Sequence, residues 1–215
     1  LSSYEVLPHG VQTDTVEISS TTAKAEFGYD PDDTVIVEPG YIRPEKGYKT
    51  FLDVAYRISD HEFLIAGGNQ GEDDAEYVKE LLQESPENVH ITGVLDDREF
   101  HIAFNAADII LLPYKEVTQS GIFNWCVAYG LPVVASDQEY FCNLNAEWDC
   151  ISLFKSGNPD DATEKVQELL SNDQHRKRLV MNLEDYQKSQ SIDEVANQHA
   201  EIYRQTHPVS NHITT

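Results

Sequence analysis

Beyond residue 30 the chain repeats one pattern: a short aliphatic run, a turn, then a longer stretch in which apolar positions return every three or four residues. The runs are Thr34-Val35-Ile36-Val37, Phe63-Leu64-Ile65-Ala66, Val89-His90-Ile91, Ile109-Ile110-Leu111-Leu112, Val133-Val134-Ala135 and Ile151-Ser152-Leu153-Phe154. Apolar residues at consecutive positions predict strands buried on both faces. Between the runs, Tyr48, Phe51, Leu52, Ala55 and Ile58 fall on one helical stripe, as do Ala75, Val78, Leu81 and Leu82. Strand alternating with helix predicts parallel pairing through right-handed crossovers. The expected fold class is therefore α/β, a doubly wound parallel sheet of about six strands with helices on both faces.

The two ends read differently. Residues 1–30 hold Val6-Leu7-Pro8-His9-Gly10-Val11 and then a Ser/Thr-rich stretch without periodicity, read as a leading segment and interdomain linker. The folded domain is expected over residues 31–206. Its last third turns helical: Asn158-Pro159 opens one helix, and Ser191, with Glu194 three residues on, opens another whose apolar face is Ile192, Val195, Ala196 and Tyr203. Residues 207–215 read as a loose tail. Neither an internal repeat nor a low-complexity tract is visible. A chain opening on Leu1 rather than Met suggests that an upstream part is missing.

Charge changes the picture most. The 38 acidic residues outnumber the 15 basic ones, a formal charge of -23, which argues against partners whose binding relies on neutralising phosphates, such as duplex nucleic acid. The acids are scattered over predicted loops and first helical turns, as on the solvated surface of a protein from an extremely salty cell, where screening shortens repulsion to a few Å. Three cysteines without a C-x-x-C pair indicate neither a disulfide framework nor a zinc site, and no metal site is expected. No apolar run approaches the roughly 18 residues that cross a bilayer, and a reducing cytoplasm is the expected location.

In an open parallel sheet the ligand crevice lies beyond the carboxyl ends of the strands, which directs attention to four loops. Pro39-Gly40-Tyr41-Ile42-Arg43-Pro44-Glu45-Lys46-Gly47 leads into a helix and offers Arg43 and Lys46 to a phosphate, although ordinary surface cations would look the same. Gly67-Gly68-Asn69 lets backbone approach a ligand, and is also plain turn chemistry. Thr92-Gly93-Val94 offers backbone to a flat base before Asp96-Asp97-Arg98-Glu99 starts a helix. The fourth loop ends a strand at Leu112 and opens a helix at Ser120-Gly121-Ile122 that stops at Gly130. Free amides of Ser120, Gly121 and Ile122 at the positive end of that helix suit a diphosphate. Along the helix, Ile122, Trp125, Cys126 and Tyr129 share a stripe, so Trp125 and Cys126 are expected in the core, and Cys126 is a poor nucleophile.

The order Pro-His-Gly-Val, Pro-Glu-Lys-Gly, Ile-Ala-Gly-Gly, Ile-Thr-Gly-Val, Ala-Asp-Ile-Ile-Leu-Leu-Pro, Ser-Gly-Ile and Tyr-Gly-Leu-Pro-Val-Val-Ala-Ser resembles the C-terminal, donor-binding half of retaining GT-B glycosyltransferases of family 4 over residues 6 to about 204. The resemblance implies a Rossmann-like domain that binds a nucleotide-sugar donor, with no obligatory cofactor or metal. It places the donor diphosphate at Lys46, Arg43 and the Ser120-Gly121-Ile122 helix start. It places the base and sugar near Gly40, Gly67, Gly93 and Val94. In the family two glutamates stand eight positions apart, the second holding the ribose; here Val117 and Trp125 occupy those positions. Glu116, next to Val117, is then the candidate catalytic carboxylate at the donor sugar. The implied partners are an unknown glycan, lipid or protein acceptor and a missing N-terminal domain, so the fragment alone is expected to be inactive. The implied place is the cytoplasm or the inner face of the membrane. Two other readings stay open: a degenerate, non-catalytic nucleotide-binding or interaction module, for which Trp125 speaks, and a sugar-nucleotide epimerase of the same fold, against which the absence of a His-Glu-Asp constellation speaks.

Overall fold

A computed structural model describes residues 10, 11, 14–69, 71 and 74–206. Pro8 and His9 of the first motif, and the tail at 207–215, lie outside the described residues. Six strands form one parallel sheet: β1 (Val35–Pro39), β2 (Glu62–Ala66), β3 (Val89–Ile91), β4 (Ile109–Leu112), β5 (Val133–Ser136) and β6 (Ile151–Phe154). Their order is β3-β2-β1-β4-β5-β6. The chain winds outward from β1 on one side and from β4 on the other. The direction thus reverses between β1 and β4, and the two crossovers diverge there to leave a crevice at the strand tips.

Alternation along each strand sorts the core into two layers. Val35, Val37, Leu64, Ile110, Val133 and Ala135 face one way, onto α4 (Asp97–Ala106) and α5 (Gly121–Ala128). Ile36, Ile65, Ile109, Leu111 and Val134 face the other, onto α2 (Tyr48–Arg57) and α7 (Pro159–Ser171). Burial of both faces explains why these strands read as continuous apolar runs. The Tyr48, Phe51, Leu52, Ala55 and Ile58 stripe is buried as expected.

Several elements depart from the sequence reading. The linker stretch contains α1 (Ser20–Glu26), started by Ser19, whose Oγ accepts from the Thr22 amide at 3.2 Å, and seated through Ala23 on Ile102 and Ala106 of α4. Of α1 only Ala23 and Lys24 are buried, too little apolar surface for periodicity to show. β3 is an edge strand with its residues partly or fully exposed, and α3 (Ala75–Glu84) covers that edge with Leu81 buried while Leu82 faces solvent. α6 (Glu139–Trp148) and α8 (Asp173–Ser189) follow in stretches where no stripe stood out. In α9 (Ile192–Thr206) Val195 is buried but Ile192 and Tyr203 are exposed, so its apolar face is narrower than expected. Val11 pairs with Ser191, its amide donating to the Gln190 carbonyl at 2.7 Å, so the beginning of the described chain lies against the start of α9.

Candidate functional site

The tips of β1 and β2, the loop after β3 and the first turn of α5 enclose a cleft of about 680 Å³. Two glycines let the loops close up. A Cβ on Gly67 would sit 2.0 Å from the Gly40 carbonyl oxygen, so the loops after β1 and β2 can touch only if position 67 has no side chain. Gly47, at φ +78°, ends the 3-10 turn Pro44–Lys46 and starts α2, and a Cβ there would meet the Pro113 carbonyl oxygen at 1.9 Å. The Lys115 amide, donating to the Glu45 carbonyl at 2.7 Å, ties the same turn to the loop after β4.

This packing fixes Lys46. Its ammonium lies 5.3 Å from the centroid of the Tyr114 ring, within cation–π range, and lines the cleft. Burial lowers the Lys46 pKa, and Glu38 partly opposes the shift. Across the cleft stands the N-terminus of α5. Ser120 caps it, its Oγ accepting from the Phe123 amide at 3.1 Å, and Gly121 and Ile122 line the cleft wall. Burial raises the pKa of Tyr140, and the Ser120 backbone partly opposes the shift. Of the three residues singled out from the sequence, Gly121 and Ile122 line the cleft, while Ser120 is buried as the cap behind them.

The remaining candidates divide. Gly40, Gly67 and Val94 line the cleft with Lys46. Gly93, at φ +79°, turns the chain into Val94 without lining the cleft. Arg43 stands outside the lining, half-exposed, with Glu45 3.9 Å from its guanidinium. Glu116 is exposed on the loop before α5, also outside the cleft lining. Among the described residues no group of three or more His, Cys, Asp or Glu is arranged to hold a metal ion. Cys126 is fully buried, donates to the Ile122 carbonyl at 3.1 Å, and its thiol pKa is pushed far up by burial, which leaves it no nucleophilic character.

Trp125 corrects a core expectation. It is only partly buried and forms a wall of the cleft, with Phe100 and His101 of α4 meeting it edge-on at ring distances of 5.9 and 5.2 Å. His101 Nδ1 lies 2.6 Å from the Tyr129 hydroxyl. Ile122 and Trp125, three residues apart, share the side of α5 that lines the cleft, while Phe123, Cys126 and Val127 are buried. Sequence reasoning missed Phe100 and His101. Their signal was available: they fall one turn into the helix that follows Gly93-Val94, within reach of the strand tips. Asp96 and Asp97 line the rim, where Asp96 closes a capping box with Glu99 at 2.8 and 2.9 Å.

A family model described as Glycosyl transferases group 1 matches residues 19–185. The chain belongs to that family. It is 24% identical over 134 residues to the processive diacylglycerol alpha-glucosyltransferase of Acholeplasma laidlawii, covering 61% of this chain and 40% of that protein. To the phosphatidyl-myo-inositol mannosyltransferase of Mycobacterium leprae it is 28% identical over 180 residues, 81% of this chain and 46% of that protein. The chain thus matches less than half the length of these curated relatives. Among solved structures, HepE from Anabaena in complex with UDP and glucose superposes with a TM-score of 0.81 at 16% identity, over 92% of this chain and 56% of that one. The C-terminal domain of the glycosyl transferase group 1 family protein LpcC from Francisella tularensis matches with a TM-score of 0.71 at 16% identity, over 86% of this chain and 100% of that domain. At such identities the likeness establishes the fold, the C-terminal half of a GT-B architecture.

Proposed function

We propose that the chain is the donor half of a retaining, family 4 glycosyltransferase and holds a nucleotide-activated sugar in the cleft at the strand tips. The observation that carries this reading is the meeting of Lys46 with the first turn of α5 in one cleft of an otherwise acidic molecule. A diphosphate there takes the Lys46 ammonium on one side and the Gly121 and Ile122 amides on the other, where the helix end adds roughly half a positive charge. Arg43 joins from the rim by leaving Glu45. Charge building on the diphosphate as the sugar departs is met by these groups without an obligatory metal. Gly40 and Gly67 border the sugar, Val94 and the turn made by Gly93 border the base, and Glu116, exposed on the loop before α5 and outside the cleft lining, is the carboxylate assigned to the donor sugar.

The acceptor and the groups that hold it belong to an additional domain. The acidic exterior suits a salt-rich cytoplasm or the inner face of its membrane and repels nucleic acid. Calorimetric titration with UDP, GDP and ADP in molar KCl tests the reading: binding weakened at least about tenfold by Lys46→Ala is expected. A folded protein that binds none of the three overturns it.

Trp125 favours a second reading, a nucleotide-binding module without turnover, because an indole occupies the family's usual ribose-glutamate position. Sugar-nucleotide turnover by the chain joined to its acceptor domain separates the two: transfer supports the enzyme, and binding without transfer supports the module.

A further inference from the structure

The aromatic wall of the cleft carries one polar group that the donor reading leaves unused. His101 of α4 lines the cleft and meets Trp125 edge-on, their ring centroids 5.2 Å apart. Its Nδ1 is committed, 2.6 Å from the hydroxyl of Tyr129 just past α5. Its second ring nitrogen, Nε2, has no hydrogen-bond partner among the described residues and stays open to solvent.

The hydrogen bonds around Tyr129 assign the proton of the imidazole. The hydroxyl oxygen already accepts from the Val16 amide at 3.1 Å, which leaves its own hydrogen to donate. Asn105 beside it is spent: Nδ2 donates to the Val16 and His101 carbonyls at 2.9 and 2.8 Å, and Oδ1 accepts from the Ile18 amide at 3.2 Å. Burial raises the Tyr129 pKa and so keeps the hydrogen on the oxygen. The hydroxyl therefore donates to His101 Nδ1, and a neutral imidazole that accepts at Nδ1 carries its hydrogen on Nε2. A charged ring carries one there as well. In either state Nε2 is a donor.

The spacing along α5 shows what such a donor meets. Trp125 lies three residues beyond Ile122, a rise of about 4.5 Å along the helix. A ribose esterified to a diphosphate at Gly121 and Ile122, on the side that leads to Val94, comes level with Trp125 and with the His101 ring against it. Phe100, Trp125 and Leu95 make this end of the cleft largely apolar, and a hydroxyl stripped of water there needs a partner. Asp96 is spent on its helix cap, and Asp97 is exposed on the rim.

We propose that His101 reads the ribose of the nucleotide: its Nε2–H donates to a hydroxyl of the ribose diol and makes the cleft selective for ribose over deoxyribose, while Tyr129 holds the imidazole from behind. The inference rests on the donor reading of this cleft.

Calorimetric titration of the whole chain in molar KCl compares UDP, GDP and ADP with their 2′-deoxy and 3′-deoxy counterparts. For a base that binds, one of the two deoxy forms is expected to bind about tenfold more weakly than the ribose form. His101→Phe, which keeps a flat ring and removes both nitrogens, is expected to bring the ribose form down to the level of that deoxy form. A histidine that merely packs would not move the ratio of the two affinities. Equal affinity of the parent for all three forms, or a preference that survives in His101→Phe, overturns the inference and leaves the donor reading standing. A preference lost instead in Asp97→Asn gives the hydroxyl to the rim carboxylate and overturns it equally. Binding of none of the nucleotides overturns the donor reading and this inference together. Should His101→Phe fail to fold, proton–nitrogen spectra of the parent's imidazoles decide: the ribose form at saturation is expected to shift one Nε2–H signal that the weaker deoxy form leaves in place, and the absence of any such difference overturns the inference.

Discussion

Phe100 of α4 and Trp125 of α5 meet edge-on at 5.9 Å and 79°, closing one end of the strand-tip cleft with an aromatic wall. The second tryptophan, Trp148, packs instead on Tyr186 of α8 at 5.5 Å, away from the cleft. Fluorescence can therefore distinguish the two indoles. Nucleotide diphosphate binding is expected to change the emission of the parent and of Trp148→Phe. It is expected to leave Trp125→Phe silent, as read by titration with UDP, GDP and ADP. A response that survives in Trp125→Phe would place the ligand elsewhere.

Glu38, buried near the end of β1 with no hydrogen-bond partner on either carboxylate oxygen, makes a stability prediction independent of any ligand. Its folded-state pKa lies above the ordinary value of 4.5, so the folded protein binds more protons than the unfolded chain once pH exceeds that value. Stability contributed by the protonated group is fully present below about 4.5 and is lost as pH climbs. Glu38→Gln removes this loss. Its urea midpoint should match the parent near pH 4.5 and move above it as pH rises, by at most about 1.4 kcal/mol per pH unit. Equal midpoints at every pH would mean that the carboxyl is not held in the neutral form by its surroundings.

Gly47 makes a steric one. A methyl group at this position would have to displace the Pro113 carbonyl oxygen at 1.9 Å while the backbone stays at φ +78°. Gly47→Ala is expected to lower stability by at least about 2 kcal/mol. Gly121→Ala, whose new Cβ would meet nothing within 4 Å, should leave the urea midpoint unchanged or slightly raised. The pair of midpoints checks the packing of the 3-10 turn against the loop after β4.

The sheet was legible because both of its faces are covered: four of the six strands are central, and an apolar run without alternation has few other solutions in water. Where burial is one-sided the signal faded. β3 at the edge and α3 above it kept only Leu81 fully inside, and α1 offers a single buried apolar residue, Ala23. The glycine-bounded loops showed where the cleft lies, since strand tips and helix starts are fixed by local chemistry. Which side chains face the opening depends on the rotation of α4 and α5 against each other, a tertiary property. That is why Trp125 read as core and Phe100 and His101 passed unnoticed. Glu38 was hidden for a different reason: a lone acid within an aliphatic run looks like any strand residue until both of its faces are known to be covered.

Gly67 touching the Gly40 backbone makes the cleft a single piece of masonry. Neither loop can be exchanged alone for one carrying side chains at those positions, because the second would be wedged out of place. Redirecting this domain to a different ligand by loop grafting would have to transplant both tips together, and randomised libraries are better spent on Tyr41, Val94 and Trp125, whose side chains border open space rather than backbone.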